Sequence, residues 1–157
     1  MTSAITDMDG LIREIREQYV MNWEGIHGWN HWMDVLKTGK LLAREVTADI
    51  KVLELFAYLH DSCRRNDSID PQHGPRAAEF ALGLHGTCFT LDSSALELLL
   101  LACRDHTAGY VHDDTTIQVC WDADRLHLPR VGITPNLDYF GTEAARRMLR
   151  EEKRIKP

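Results

Sequence analysis

Two features common in exported and membrane proteins are absent from this sequence: long apolar runs and closely spaced cysteine pairs. No stretch reaches the roughly 18 consecutive apolar residues that a membrane span needs, and residues 1–7 lack the charged and apolar regions of a signal peptide. We therefore expect a cytoplasmic protein without a membrane partner. Because CxxC spacing is missing, buried reduced thiols are expected instead of a disulfide framework, at Cys63, Cys88, Cys103 and Cys120.

An excess of basic residues is also absent. The 18 lysines and arginines stand against 24 aspartates and glutamates, which gives a net charge of −6. No basic field therefore attracts nucleic acid, and an anionic substrate needs local cations. The hydrophobic content of 44% and the charged content of 27% are typical of a globular protein. One domain over residues 1–157 is expected, and no pattern indicates an oligomeric state.

Strand-like alternation, internal repeats and low-complexity segments are scarce as well, whereas helical spacing recurs along the chain. The pattern predicts an all-α, single-domain helical bundle of about six to seven helices. The segment 95–103 is apolar almost all round and is expected to be the central buried helix. The predicted helices span about 7–23, 29–44, 50–61, 71–84, 95–106, 117–126 and 142–150. The expected N-cap is Thr47 or Asp49 for the third helix, Asp92 or Ser93 for the fifth, and Thr115 or Thr116 for the sixth.

The third predicted helix ends in an adjacent histidine and aspartate, His60 and Asp61. Leu53, Phe56 and Ala57 define the inward face of this helix. His60 continues that face, and Asp61 lies at its edge. A carboxylate on the buried side of a helix is costly unless a positive group meets it. A cation held by both residues accounts for the pair, although a single pair of this kind also occurs as a helix cap or a surface hydrogen bond.

Three further histidines lie on the inward stripes of other predicted helices. His31, His73 and His106 are each four residues from an inward apolar residue. A buried histidine needs a partner once water is excluded, and a metal site between bundle helices satisfies several at once. Nitrogen and oxygen donors suit Mn, Fe, Co, Ni or Zn, and a water-rich site also holds Mg. The remaining histidines lie in or near turns and are expected to be exposed: His27, His85, His112 and His127.

The order of these residues resembles the signature of the HD-domain superfamily of metal-dependent phosphohydrolases. That signature is a histidine, a His-Asp doublet and a distant aspartate on separate helices. The chain presents His31, then His60-Asp61, then Asp122-Ala123-Asp124-Arg125-Leu126. The resemblance covers about 26–128, the expected core of the domain, and leaves 129–157 as a C-terminal extension.

Two shorter segments are similar to the same family, and one departs from it. His73-Gly74 looks like a His-Gly segment of many members, and His106 looks like a later histidine. The first histidine of the family commonly stands in an H-x-x-R-V setting. Here Asp34 stands at the position of that arginine, so no role that depends on the arginine is carried over. The ligand role of His31 does not depend on it and is kept.

The resemblance implies a metal site made by His31, His60, Asp61 and a later aspartate. The Ala-Asp-x-Leu form seen in several branches favours Asp124. Helical phase favours Asp122, which Val119 and Leu126 flank on one face, so both aspartates stay open. One metal ion is expected, with a second possible if His73 and His106 are ligands. The alternative role of these two histidines is to donate to the substrate and leaving group.

The activity implied by the resemblance is hydrolysis of a phosphate ester or anhydride of a nucleotide or related small metabolite. Asp61, His73 and His106 are the expected catalytic residues, and Asp61 or the spare aspartate accepts a proton from the attacking water. Arg64, Arg65 and Arg76 are candidates for binding the phosphate. Two alternatives are a di-iron oxygenase of the same superfamily and a non-catalytic metal-binding helical module.

Overall fold

The computed structural model describes residues 3–155, with side chains up to residue 152. No β-strand occurs in this range, which confirms the all-α prediction, and none of its helices is both long and apolar enough to cross a membrane. Two short 3-10 turns, Leu128–Val131 and Leu137–Tyr139, precede the last helix. The α-helices are α1 (Met8–Gln18), α2 (Trp29–Leu42), α3 (Ile50–Leu59), α4 (His73–Leu84), α5 (Ser93–Asp105), α6 (Thr115–Arg125) and α7 (Glu143–Ile155).

The central helix of the bundle is α3. From Val52 to Leu59 every residue except Glu54 is buried, because α3 packs against α2, α5 and α6. The expectation that the apolar segment 95–103 is central was wrong. Helix α5 packs mainly against α4, and its fully buried residues lie on one side, as do Leu99 and Ala102. Its other leucines are only partly buried.

Aspartates cap α3, α5 and α6, the helices whose carboxyl ends carry His60, His106 and Asp124. Asp49, Asp92 and Asp114 each accept a hydrogen bond from a backbone N–H in the first turn of α3, α5 and α6. A carboxylate at this position also interacts favourably with the helix dipole. The expected caps of α6 were therefore wrong. The Thr116 hydroxyl instead accepts from the Asp49 N–H at 2.9 Å and joins the start of α6 to the start of α3.

The C-terminal segment folds back over the ends of the helices. Phe140, Ala144, Ala145 and Leu149 are buried in the core. The Arg125 guanidinium fixes the preceding turn, since it donates to the carbonyl oxygens of Tyr110 at 2.6 Å and Tyr139 at 2.8 Å. Residues 107–114 and 128–140 thus stand together above the carboxyl ends of α3 and α5.

Gly74 allows the backbone of α4 to approach the end of α5. A Cβ at this position would lie 2.5 Å from the carbonyl oxygen of Arg104 and 2.8 Å from that of Cys103. Because both neighbours are backbone atoms, only a shift of a helix relieves the overlap. We expect Gly74→Ala to lower the free energy of unfolding by about 1–3 kcal/mol, measured by urea denaturation.

Gly83 in the same helix is the matched control. A Cβ there meets no heavy atom within 4 Å, and alanine is favoured over glycine in a helix. Gly83→Ala is therefore expected to raise the free energy of unfolding by about 0.5 kcal/mol. Equal effects of the two substitutions would contradict the close approach of α4 and α5.

Candidate metal centre

Four buried histidines and two aspartates meet where the carboxyl ends of α3, α5 and α6 face the first turns of α2 and α4. His31 lies in the first turn of α2, and His73 is the first residue of α4. His60 and His106 directly follow α3 and α5. Helical spacing predicts that all four imidazoles point inward, and the bundle brings their Nε2 atoms together.

The first group of potential ligands consists of His31, His60, Asp61 and Asp124. The Nε2 atoms of His31 and His60 are 3.2 Å apart. Asp124 Oδ1 lies 3.0 Å from His31 Nε2 and 3.4 Å from His60 Nε2. Asp61 Oδ2 lies 3.4 Å from His31 Nε2 and 3.6 Å from His60 Nε2. Two nitrogens and two carboxylate oxygens thus face one point.

The second group consists of Asp61, His73 and His106. The Nε2 atoms of His73 and His106 are 2.9 Å apart. Asp61 Oδ1 lies 3.2 Å from His73 Nε2 and 3.4 Å from His106 Nε2. Asp61 therefore belongs to both groups and presents one carboxylate oxygen to each.

The hydrogen bonds of the imidazoles leave lone pairs facing each other. The Nδ1 atoms of His60, His73 and His106 lie 2.9, 2.5 and 2.7 Å from the carbonyl oxygens of Phe56, Asp70 and Cys103. A carbonyl oxygen only accepts, so each Nδ1 carries a proton, and Nε2 is the atom of each ring that presents a lone pair to a metal ion when it carries no proton. Two lone pairs 2.9 Å apart repel unless a cation lies between them. The donor set of this site therefore fits metal ions.

Both carboxylates of the centre are held in the ionised form. Burial favours the neutral acid, but the imidazoles of His60, His106, His27 and His31 hold the pKa of Asp61 well below its usual range. At Asp124 burial likewise favours the neutral acid, but hydrogen bonds from His31 and His60 keep the pKa of this carboxyl well below its usual range. Two buried negative charges at one point attract a cation.

A cavity of about 640 Å³ opens above these residues. Its floor includes Asp61, His73, His106 and Asp124, and its walls come from the loop after His60 and from the turns before α7. The volume lies within the range of small-molecule sites. The ligand groups are therefore accessible to a small substrate.

Comparison with known proteins agrees with this arrangement. No family model and no curated protein matches the chain. A crystal structure of a predicted HD superfamily hydrolase from an uncultured Thermotogales bacterium does match, with 25% sequence identity and a TM-score of 0.72 over 94% of this chain and 86% of that one. The chain has the HD-domain fold. The match confirms the resemblance drawn from the order of His31, His60-Asp61 and the later aspartates.

Only one of the two open aspartates faces the HD-domain site. Asp124 is in the first group, whereas Asp122 accepts hydrogen bonds from Gln118 Nε2 at 2.7 Å and from the Gly141 N–H at 3.2 Å through Oδ1. Its Oδ2 accepts from the N–H and the hydroxyl of Thr142 at 2.8 and 2.6 Å. Asp122 thus joins α6 to the start of α7, which corrects the expectation from helical phase.

The three candidate phosphate-binding arginines have different positions in the HD domain. Arg64 lines the cavity, and its Nε lies 3.6 Å from Asp61 Oδ1. Arg65 is exposed and does not line the cavity. The Arg76 guanidinium donates to the Cys63 carbonyl oxygen and to Asp70 Oδ2, at 3.0 and 2.6 Å from Nη2. The proposed roles of Arg65 and Arg76 are therefore corrected: Arg76 fixes the loop after the HD doublet.

Two residues near the centre were missed. His27 was expected to be exposed, but it is buried, with its Nδ1 3.4 Å from Asp61 Oδ2. Arg130 lines the cavity, and its Nη2 lies 3.7 Å from Asp61 Oδ2. Both lie in segments without helical periodicity, a glycine-rich turn and a 3-10 turn. No repeating pattern marked them as inward.

Proposed function

We propose that this protein is a metal-dependent phosphohydrolase that cleaves a phosphate ester or anhydride of a nucleotide or related small phosphate metabolite. The observation that carries the proposal is the sharing of Asp61 between two groups of ligands at the floor of the cavity. The named neighbour, a predicted HD superfamily hydrolase, supports the same reaction class.

His31, His60, Asp61 and Asp124 would hold one divalent ion, and Asp61, His73 and His106 would hold a second. When bound, such ions lower the pKa of water and neutralise charge that develops on phosphoryl oxygens. Mn, Fe, Co, Ni, Zn and Mg remain the candidates. The ring orientations of His60, His73 and His106 are fixed by their Nδ1–H bonds to backbone carbonyls.

The reaction forms a bond between the water oxygen and phosphorus and breaks the bond from phosphorus to the leaving oxygen. One proton of the water is lost to a carboxylate, and the leaving oxygen takes up a proton. Asp124 is our proposed acceptor, because it lines the cavity and faces the histidines through Oδ1, whereas both oxygens of Asp61 face histidines. If the second group holds no ion, His73 and His106 face the leaving group as proton donors.

The proposal is tested by metal analysis of the purified protein and by a phosphate-release screen. Nucleotides and other small phosphate esters are offered to the apoprotein reloaded with Mn, Fe, Co, Ni, Zn or Mg. Metal-dependent release of phosphate is expected with at least one of these ions. A folded, metal-loaded protein that releases phosphate from none of them would exclude the proposed reaction class.

A second candidate is a di-iron oxygenase, which the complete second group of His73, His106 and Asp61 favours. Consumption of oxygen by the iron-loaded protein, without phosphate release, would support that candidate. A third candidate is a non-catalytic metal-binding module. Metal binding that stabilises the fold, with neither activity, would support it.

A further inference from the structure

Arg130 is held in a fixed orientation beside the metal centre. Its Nε donates to the Ile26 carbonyl oxygen at 2.8 Å, and its Nη1 donates to the His127 carbonyl oxygen at 2.8 Å. The remaining nitrogen, Nη2, lies 3.4 Å from His27 Nδ1 and 3.7 Å from Asp61 Oδ2. The backbone therefore aims one end of a cationic fork at the cavity floor.

Arg64 has the same arrangement on the other side. Its Nη1 donates to the carbonyl oxygens of Asn66 and Ser68 at 3.1 and 3.2 Å. Its Nε is buried without a hydrogen-bond partner and lies 3.6 Å from Asp61 Oδ1. A buried guanidinium N–H that lacks an acceptor is costly, and an anionic oxygen from a ligand removes the cost.

The two guanidinium groups thus flank opposite oxygens of the same carboxylate. Both line the cavity, and each is anchored by two backbone carbonyl oxygens. Anchoring reduces the side-chain entropy that is lost when a ligand binds. Two fixed arginines supply two positive charges, which match the charge of one terminal phosphoryl group.

The rest of the cavity offers no further free cation among the residues described. The third arginine of its lining, Arg125, already donates to the carbonyl oxygens of Gly109, Tyr110 and Tyr139. The remaining acidic residue at the rim is Asp67, which disfavours additional phosphates. Apolar side chains form much of the wall, including Ile69, Leu128 and Ile133.

We propose that Arg64 and Arg130 form a clamp for a single terminal phosphoryl group, and that the preferred substrate is a phosphomonoester of an uncharged group. The leaving group packs against the apolar wall of the cavity. The substrate preference rests on the proposed phosphohydrolase function, whereas the clamp can be tested by binding alone. Longer phosphate chains place charge where no cation meets it.

The clamp is tested first by isothermal titration of the manganese-loaded protein with inorganic phosphate. Arg130→Gln and Arg64→Gln are each expected to weaken phosphate binding about tenfold or more. Arg130→Lys keeps the charge but not the fork and is expected to lie between Arg130→Gln and the parent. Arg150→Gln is the matched control, because Arg150 pairs with the exposed Glu143 on α7 and is expected to bind phosphate as the parent does.

The substrate preference is tested with a nucleoside monophosphate and the corresponding triphosphate. The parent is expected to have a kcat/KM for the monophosphate about tenfold higher, and Arg130→Gln is expected to raise KM more than it lowers kcat. Equal kcat/KM values for the two nucleotides would overturn the preference and leave the phosphohydrolase proposal standing.

The two proposals fail in different ways. If neither an ester nor an anhydride is hydrolysed, the proposed function fails, and the phosphate titration still decides the clamp. Unchanged phosphate affinity in folded Arg130→Gln and Arg64→Gln would overturn the clamp. Arg64 makes its anchoring contacts within residues 64–68, so Arg64→Gln decides the question if Arg130→Gln does not fold.

Discussion

Asp61→Asn is expected to lower the proposed phosphohydrolase activity by about 10³-fold or more and to remove metal from both groups of ligands. Oδ2 of Asp61 lies 3.4 Å from His31 Nε2, and Oδ1 lies 3.2 Å from His73 Nε2. An amide places a neutral N–H₂ at one of these positions. Metal ions supply several kcal/mol of transition-state stabilisation, which corresponds to this loss of rate. Phosphate release and atomic absorption measure the two effects.

Asp122→Asn is the matched control, since it makes the same chemical change at another buried aspartate of the bundle. It leaves the metal centre intact but sets an amide against the N–H groups that now meet the carboxylate. We expect it to lower the free energy of unfolding by about 1–3 kcal/mol and to keep its metal when folded. Metal loss in Asp122→Asn, or full activity in Asp61→Asn, would contradict the roles given to the two aspartates.

The ring of histidines was predictable because helices fix the direction of their side chains. A residue four positions from an inward apolar residue lies on the same face, and this rule directed His31, His73 and His106 inward. The structure brings these three imidazoles together with His60. Spacing along one helix does not specify distances between helices, so the division into two groups that share Asp61 required the packed bundle.

The rule fails where a helix is buried on all sides. From Thr116 to Ala123 every residue of α6 is buried, so apolar neighbours on one face do not indicate the side on which the cavity lies. The face that includes Asp122 meets the start of α7, and Asp124 meets α2. The opposite case is α5: its leucines point to all sides and suggested a central helix, although the fully buried residues lie on one side.

Segments without a repeating pattern gave no direction for their side chains. His27 and Arg130 both approach Asp61 from turns, and their positions depend on backbone bonds that form only in the folded protein. Arg130 is directed by the carbonyl oxygens of Ile26 and His127. The first of these is more than one hundred residues away in sequence, which no local pattern can anticipate.

Removal of bound metal by a chelator is expected to lower the free energy of unfolding by about 4 kcal/mol for each ion, if the free ion was about 1,000 times its Kd. The corresponding fall in Tm is roughly 10 °C for each ion in a chain of this size. The physical reason is that a bound cation is coordinated by the facing Nε2 atoms of each group, which are 3.2 Å apart for His31 and His60 and 2.9 Å apart for His73 and His106. Differential scanning calorimetry with and without chelator measures the fall.

For each variant, Tm is measured with and without chelator, and the fall in Tm is compared between variants. Because each variant is its own reference, this comparison separates an effect on metal binding from an effect on packing. His106→Ala removes one member of the second group and is expected to show about half of the parent's fall, as one ion still stabilises the first group. His112→Ala, a histidine outside both groups, is expected to show the full fall. A fall in His106→Ala equal to that of the parent would mean that the second group contributes no metal binding, and His73 and His106 would then be left with the role of proton donors.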